Sequence, residues 1–395
     1  MPILGMSIKI LIIAGARPNF MKVAPIIRAG TDYNARRRDG EPELQWRLVH
    51  TGQHYDHKMS EVFFQELGIP APDVNLEVGS GSHAAQTAQI MLKFEPICEQ
   101  ERPDWVVVVG DVNSSMACTL VASKLGVRVA HVDAGLRSFD RSMAEEINRL
   151  VTDALADLLL TPSADGDANL LREGVPAEKI RLVGNVMIDT VVANLEQARS
   201  RALPRALGFS AGGFVYVTLH RPSNVDNRQS LECIVAELRD LSRRLPVVFP
   251  MHPRTRKMCG QFGISLEETP SFKILEPIGY HDSLCLTESA RLVLTDSGGL
   301  QEESTFFRTP CLTLRPNTER PATVTVGSNR LTSVSQLRAD FERVLGQPKR
   351  LGAIPPLWDG RAAERIVREL TTSQASGSTD LVRKPAPQAV LDARS

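Results

Sequence analysis

The sequence has no excess of charge of either sign. Its 395 residues carry 46 lysines and arginines against 46 aspartates and glutamates. A balanced chain has no broad positive field to hold a nucleic-acid backbone, so an anionic ligand must be met by a local group of donors. It has no paired cysteine motif. Cys98, Cys118, Cys233, Cys259, Cys285 and Cys311 form no CxxC unit and match no zinc spacing, and scattered thiols suit packing in a reducing compartment. No apolar run approaches the ~20 residues that span a bilayer. The first apolar segment, 8–13, lacks a basic leader and runs into Gly15-Ala16-Arg17-Pro18, which reads as a buried strand and not as a signal peptide. These absences predict a cytoplasmic protein with no nucleic-acid or membrane partner. No metal or nicotinamide cofactor is expected.

What is present is a recurring alternation. Short β-branched runs at 8–13, 47–50, 105–109, 128–132, 158–160 and 180–183 are separated by amphipathic stretches. A second series follows at 214–219, 247–251, 272–275, 291–295 and 311–314. Near-continuous apolar strands alternating with helices predict parallel sheets covered on both faces. One helix carries a stripe of Ile147, Leu150, Val151, Ala154, Leu155 and Leu158 at helical spacing. The Pro, Gly and Ser content of 200–213 marks a break between two series. The expected organisation is an N-terminal Rossmann-like domain over 1–190 and a C-terminal one over 191–372. The last helix packs back on the first domain, and 373–395 forms a disordered tail. Two doubly wound α/β sheets place ligands in a cleft outside the carboxyl ends of their strands.

The strand ends carry the polar residues. Arg17 and Lys22 follow the first strand, where a helix N-terminus and two cations suit an anion. Taken alone they read first as a charged helix start. Asp111 follows the third strand, where capping is its plain role, and Asp133 follows the fourth within His131-Val132-Asp133-Ala134-Gly135-Leu136-Arg137. Glu145 comes next, spaced to form an ion pair with Arg149. Carboxylates crowded at adjacent strand ends perturb one another and suit proton transfer. His220 and His252 each follow a strand in the second series and are followed by basic residues. The segment Thr295-Asp296-Ser297-Gly298-Gly299-Leu300-Gln301-Glu302-Glu303 reads as strand, glycine turn and helix. The amides of Ser297, Gly298 and Gly299 suit a phosphate, and Glu303 suits a pair of ribose hydroxyls. This turn is neither a Walker loop nor GxGxxG. Arg320 supplies a further guanidinium.

Several segments in order, GARPNFMKVAPI, TGQHYD, VVGDVNSS, HVDAGLRSFDRSMAEEINR, VGNVMIDT, TLHRPSN, MHPRTR, LTDSGGLQEE and TERPATV, resemble the non-hydrolysing UDP-N-acetylglucosamine 2-epimerases from about Lys9 to about Arg368. The resemblance implies a glycosyltransferase-B-like fold, a homodimer, and a UDP-sugar held between two Rossmann-like domains. It implies acid–base roles for Asp111, Asp133 and Glu145, with His220 closing on the diphosphate and sugar. UDP-sugar contacts are implied for Arg17, Lys22, Gln53, His54, Arg149, His252, Ser297, Gly298, Gly299, Glu303 and Arg320. The implied reaction eliminates UDP to a 2-acetamidoglycal and adds it back, interconverting UDP-GlcNAc and UDP-ManNAc. A hydrolysing epimerase, a glycosyltransferase of the same fold, an epimerase for a modified UDP-amino sugar and a non-catalytic UDP-sugar binder are the alternatives. The chain departs from the family pattern at Asp133 (usually Glu), Ala144 (usually Pro), Ala322 (usually Glu) and in His220-Arg221-Pro222-Ser223-Asn224.

Overall fold

The computed structural model describes residues 7–52 and 68–372. The first sheet contains β1 (Ser7–Ala14), β2 (Glu43–His50), β3 (Val74–Asn75), β4 (Trp105–Val109), β5 (Arg128–Val132), β6 (Leu158–Thr161) and β7 (Ile180–Leu182), in the order β3-β2-β1-β4-β5-β6-β7. The second contains β8 (Val215–Thr218), β9 (Val247–Pro250), β10 (Phe272–Leu275), β11 (Leu292–Thr295), β12 (Cys311–Leu314) and β13 (Asn329–Thr332), in the order β10-β9-β8-β11-β12-β13. All pairings between named strands are parallel. This is the expected α/β architecture of two parallel sheets, and its arrangement is glycosyltransferase-B-like.

Strand alternation explains the near-continuous apolar runs. Ile8, Ile10 and Ile12 of β1 enter one core with Trp105, Val107 and Val109 of β4. Leu11 and Ile13 enter the opposite core with Val106 and Val108. In the second sheet Val215 and Val217 face one core, and Phe214 and Tyr216 the other. Each fully buried Val, Leu or Ile contributes roughly 1.5–3 kcal/mol, so burial on both faces favours these segments as central strands.

Strand order reverses beside β1 and β4 in the first sheet, and beside β8 and β11 in the second. Loops diverge at such points and leave a crevice at the strand ends. Gly15–Lys22 and Gly110–Asp111 flank the first crevice, and His220 and Asp296–Ser297 the second.

The expected division at 190/191 falls within a continuous helix, Val186–Ser200. That helix is bonded in several directions. Thr190 Oγ1 donates to the Met21 carbonyl, and the Asp189 carboxylate accepts from the Ala362 and Ala363 amides at 3.1 and 2.8 Å. Asn185 Nδ2 donates to Glu302 Oε1 at 2.9 Å. The closing helix, Ala362–Thr372, buries Ile366, Val367 and Leu370 in the core shared with β1 and the helix Arg17–Arg36. The segment 373–395, expected to be a tail, lies outside the described residues.

The stripe on the helix Ala144–Leu155 is not its core face. Glu146, Asn148, Arg149, Thr152 and Asp153 are buried, whereas Ala154 and Leu155 are exposed and Ile147, Leu150 and Val151 half-buried. The polar face turns inward because buried partners await it at the ends of β4 and β5.

Candidate active site

The first crevice is drawn together by Asn19. Its Oδ1 accepts from the Gly15 and Ala16 amides at 3.1 and 2.9 Å, and its Nδ2 donates to the Val109 carbonyl at 2.8 Å. One side chain thus ties the turn after β1 to the end of β4. A turn further along the same helix, buried Lys22 forms an ion pair with buried Asp133. Burial most of all, and Arg320, oppose the Lys22 charge, but Asp133, Glu302 and Asp111 together outweigh them and hold the ammonium above its ordinary pKa. Asp133 sits at φ +68°, a left-handed conformation that turns the chain sharply out of β5. Gly135 follows at φ +78°, where an added Cβ would lie 2.4 Å from the Gly166 carbonyl oxygen.

Asp111, after β4, pairs with Arg149. Arg149 also lies 2.6 Å from Glu146 Oε2. It therefore pairs with Glu146, three residues back, where sequence spacing pointed to Glu145. Glu146 is buried and accepts from the Ser138 and Phe139 amides at 2.9 Å each. Burial raises its pKa, but the Ser138 amide and Arg149 outweigh this and lower it. Glu145 is exposed in the first turn of the helix.

In the second crevice, Ser297 occupies the N-cap position of the helix Gly298–Phe307, its side chain making no capping bond, with Gly298 and Gly299 in the first turn. Ser297 N donates to Thr295 Oγ1 at 2.9 Å. The space above Gly298 is filled by a guanidinium: an added Cβ would lie 2.6 Å from Arg320 Nη1. Arg320 is fixed by Glu302, 2.9 Å from its Nε, and by Glu319. Burial opposes its charge; Glu302, Glu319, Asp111 and Asp133 together raise its pKa. Glu303, buried in the same helix, is pushed up to about 8 by burial with Glu302 adding to the effect. His220 Nδ1 lies 3.0 Å from Asp296 Oδ1, and the His220 and His252 rings stand 5.3 Å apart. Fully buried Asp296 also accepts from the His220 and Arg221 amides and from Asn224 Nδ2.

The structure thus brings Lys22, Asp111 and Asp133 of the first half within electrostatic reach of Arg320 of the second, and Lys22 and Asp133 within reach of Glu302. His220, His252 and Ser297 gather at the second crevice. The Arg17 side chain, Gln53 and His54 lie outside the described residues. Glu302 and Asp296 were not singled out from sequence. Adjacent glutamates look alike in a linear motif, and only burial assigns Glu302 to Arg320. Among the described residues, no group of three or more His, Cys, Asp and Glu side chains is arranged to hold a metal ion. None of the described helices is long and apolar enough to cross a membrane.

Residues 36–371 match the family model described as UDP-N-acetylglucosamine 2-epimerase. The chain belongs to the UDP-N-acetylglucosamine 2-epimerase family. It is 42% identical over 370 residues to UDP-N-acetylglucosamine 2-epimerase of Methanocaldococcus jannaschii, covering 92% of this chain and 99% of that one. It is 41% identical over 331 residues to UDP-2,3-diacetamido-2,3-dideoxy-D-glucuronate 2-epimerase of Pseudomonas aeruginosa, covering 83% and 89%. The crystal structure of the M. jannaschii enzyme in complex with UDP-GlcNAc and UDP superposes with a TM-score of 0.82 at 42% identity, covering 92% of this chain and all of that one. As a member of this epimerase family the chain is an enzyme.

Proposed function

We propose that the protein is a non-hydrolysing UDP-N-acetylglucosamine 2-epimerase that interconverts UDP-GlcNAc and UDP-ManNAc. The observation that carries this reading is the charge cluster in which Asp111 and Asp133 meet Lys22, Glu302 and Arg320. C2 of the sugar is not next to a carbonyl, so its proton is not acidic enough for simple exchange. If UDP leaves from C1 as a base takes the C2 proton, the C–H electron pair forms the C1–C2 double bond and the C1–O pair departs with UDP. Return of a proton to the opposite face of C2, with UDP attacking C1, completes inversion without consuming water. Such a reaction needs carboxylates at the ring and cations at the leaving group.

Asp111, Asp133 and Glu145 are assigned to the proton steps and His220 to the closure over diphosphate and sugar. The amides of Ser297, Gly298 and Gly299 meet the diphosphate at a helix N-terminus, where unpaired N–H groups favour an anion. Lys22, Arg320, Arg149, His252 and Arg17 supply positive or donor groups, with Gln53 and His54 from the first half, and Glu303 accepts from the ribose. The M. jannaschii complex with UDP-GlcNAc and UDP supports this substrate. We divide the chain into domains of 1–190 and 191–372 and place the enzyme in the cytoplasm; the six free thiols support a reducing compartment. We assign it a homodimer. The outward apolar residues of the helix Ala144–Leu155, with Leu92 and Leu125 exposed on the helical layer beside it, support a second copy as the occupant. The P. aeruginosa relative favours a second reading, in which the hexose carries further acetamido and carboxylate groups.

The test is incubation with UDP-GlcNAc in deuterium oxide, followed by proton and phosphorus NMR. Deuterium at C2 of both epimers, with no stoichiometric release of UDP, is expected. UDP accumulating with free sugar would replace this reading with a hydrolysing one. Absence of exchange with UDP-GlcNAc, but exchange with the diacetamido-glucuronate nucleotide, would favour the second substrate.

A further inference from the structure

His131 is fully buried near the end of β5, and its ring joins the two aspartate-bearing loops. Nε2 lies 3.0 Å from the Gly110 carbonyl oxygen, on the peptide unit directly before Asp111. Nδ1 lies 2.6 Å from Asp153 Oδ1. The second Asp153 oxygen accepts from the Gly135 amide at 3.1 Å, two residues beyond Asp133, and lies 2.6 Å from Arg137 Nη1. Arg137 is held in turn by Glu173 at 2.8 Å.

A carbonyl oxygen cannot donate. Burial disfavours charge on Asp153, but His131 and Arg137 outweigh it and keep the group ionised, so neither partner of the ring supplies a proton. Each ring nitrogen therefore faces an acceptor, the Gly110 carbonyl at Nε2 and the Asp153 carboxylate at Nδ1.

A buried charge cluster could simply fill the space between a strand and a helix. This one ends on the peptide unit directly before Asp111 and on the Gly135 amide, two residues beyond Asp133. Gly110, Asp133 and Gly135 all lie in the left-handed region, at φ +64°, +68° and +78°. Conformations of this kind persist where their surroundings over-determine them. Asp153 also shares the inward face of its helix with Arg149, four residues earlier, which holds the Asp111 carboxylate.

Resting on the assignment of Asp111 and Asp133 to the proton steps, we infer that His131 is a positioning residue that fixes the spacing of the two aspartates, one ring nitrogen serving each loop. Glutamine at this position places an amide nitrogen near the site of Nε2 and keeps the bond to Gly110. Asparagine keeps only the Asp153 side, and phenylalanine keeps neither.

In deuterium oxide with UDP-GlcNAc, His131→Phe and His131→Asn are expected to lower kcat for C2 exchange by about 100-fold, with Kd for UDP within about threefold of wild type. His131→Gln is expected to recover about tenfold of that loss, as the donor to Gly110 returns. Wild-type kcat in His131→Phe would overturn the inference, and so would a loss of UDP affinity parallel to the loss of rate. Nitrogen-15 NMR of the histidine rings in the free wild-type protein reads the brace without catalysis. A slowly exchanging ring N–H signal at Nε2 of His131, with coupling across its hydrogen bond to the Gly110 carbonyl, is expected, and an Nε2 that bears no proton overturns it. If the variants fail to fold, that spectrum decides. If the wild-type protein shows no C2 exchange, the proposed reaction fails while the spectrum still judges the brace.

Discussion

Arg149 joins Asp111 to Glu146: one amino group pairs with the Asp111 carboxylate, and the other lies 2.6 Å from Glu146 Oε2. Glu146 in turn holds the Ser138 and Phe139 amides. A loop, a helix and a strand end therefore share a single guanidinium. A buried ion pair adds little beyond an apolar substitute, but removing one partner alone strands the other.

Arg149→Met should therefore destabilise the protein by about 3–5 kcal/mol, read from its urea midpoint. Glu145, exposed one residue before Glu146, gives the contrast. Glu145→Gln should stay within about 0.5 kcal/mol of wild type in stability. Its loss should appear in C2 exchange, with UDP affinity retained. Equal stability losses in both variants would refute this division of labour between the two glutamates.

Glu303 makes stability depend on pH with a defined sign. Its folded pKa of about 8 stands above the ordinary 4.5. In that window the folded state holds a proton that the unfolded chain has released, so stability falls as pH rises. The slope for this one group is at most roughly 1.4 kcal/mol per pH unit. Glu303→Gln removes the titration, so its stability relative to wild type should increase from about pH 5 to about pH 8. A constant difference across that range would contradict the buried carboxyl. If ribose hydroxyls donate to the carboxylate, UDP binding should also release a proton near neutral pH, measurable by calorimetry in buffers of different ionisation enthalpy.

Two glycines separate binding from folding. An added methyl at Gly298 meets Arg320, a side chain, at 2.6 Å, whereas one at Gly135 meets the Gly166 backbone at 2.4 Å with φ at +78°. Gly298→Ala should fold and weaken UDP binding by about 10–100-fold, as a charged contact worth ~1.5–3 kcal/mol is displaced. Gly135→Ala should lose stability by at least ~1–3 kcal/mol. Unchanged UDP affinity in Gly298→Ala would remove Arg320 from the diphosphate site.

The outward stripe on the helix Ala144–Leu155 gives the last prediction. Leu150→Glu combined with Leu155→Glu should convert a dimer to a monomer in sedimentation velocity, with the far-ultraviolet spectrum preserved. A wild-type protein that is already monomeric would defeat the assignment.

Much of this arrangement was legible in the amino-acid sequence. The strand 105–109 is apolar without interruption because both faces are covered, and its bounds follow from that. β13, Asn329–Thr332, was not legible. Its Asn329 is bonded by Thr313 Oγ1 at 2.6 Å and itself donates to Gln301 Oε1 at 3.1 Å, so a polar residue occupies a strand position on tertiary grounds. The two-residue strand β3 carries too little pattern to read. In the helix Ala144–Leu155 the periodicity was legible and the facing was not. Spacing reports that two faces differ, and only the partners decide which one is buried. The same limit hid His131, since a single histidine in a strand shows nothing of what its two nitrogens meet.

The many attachments of the helix Val186–Ser200 have a mechanical consequence. It is bonded to the Met21 carbonyl, one residue before Lys22, and begins beside Asn185, which is bonded to Glu302. A rotation of either sheet about this axle would displace nearby groups least and distant ones most. Lys22 and Glu302, both beside it, would then keep their mutual register.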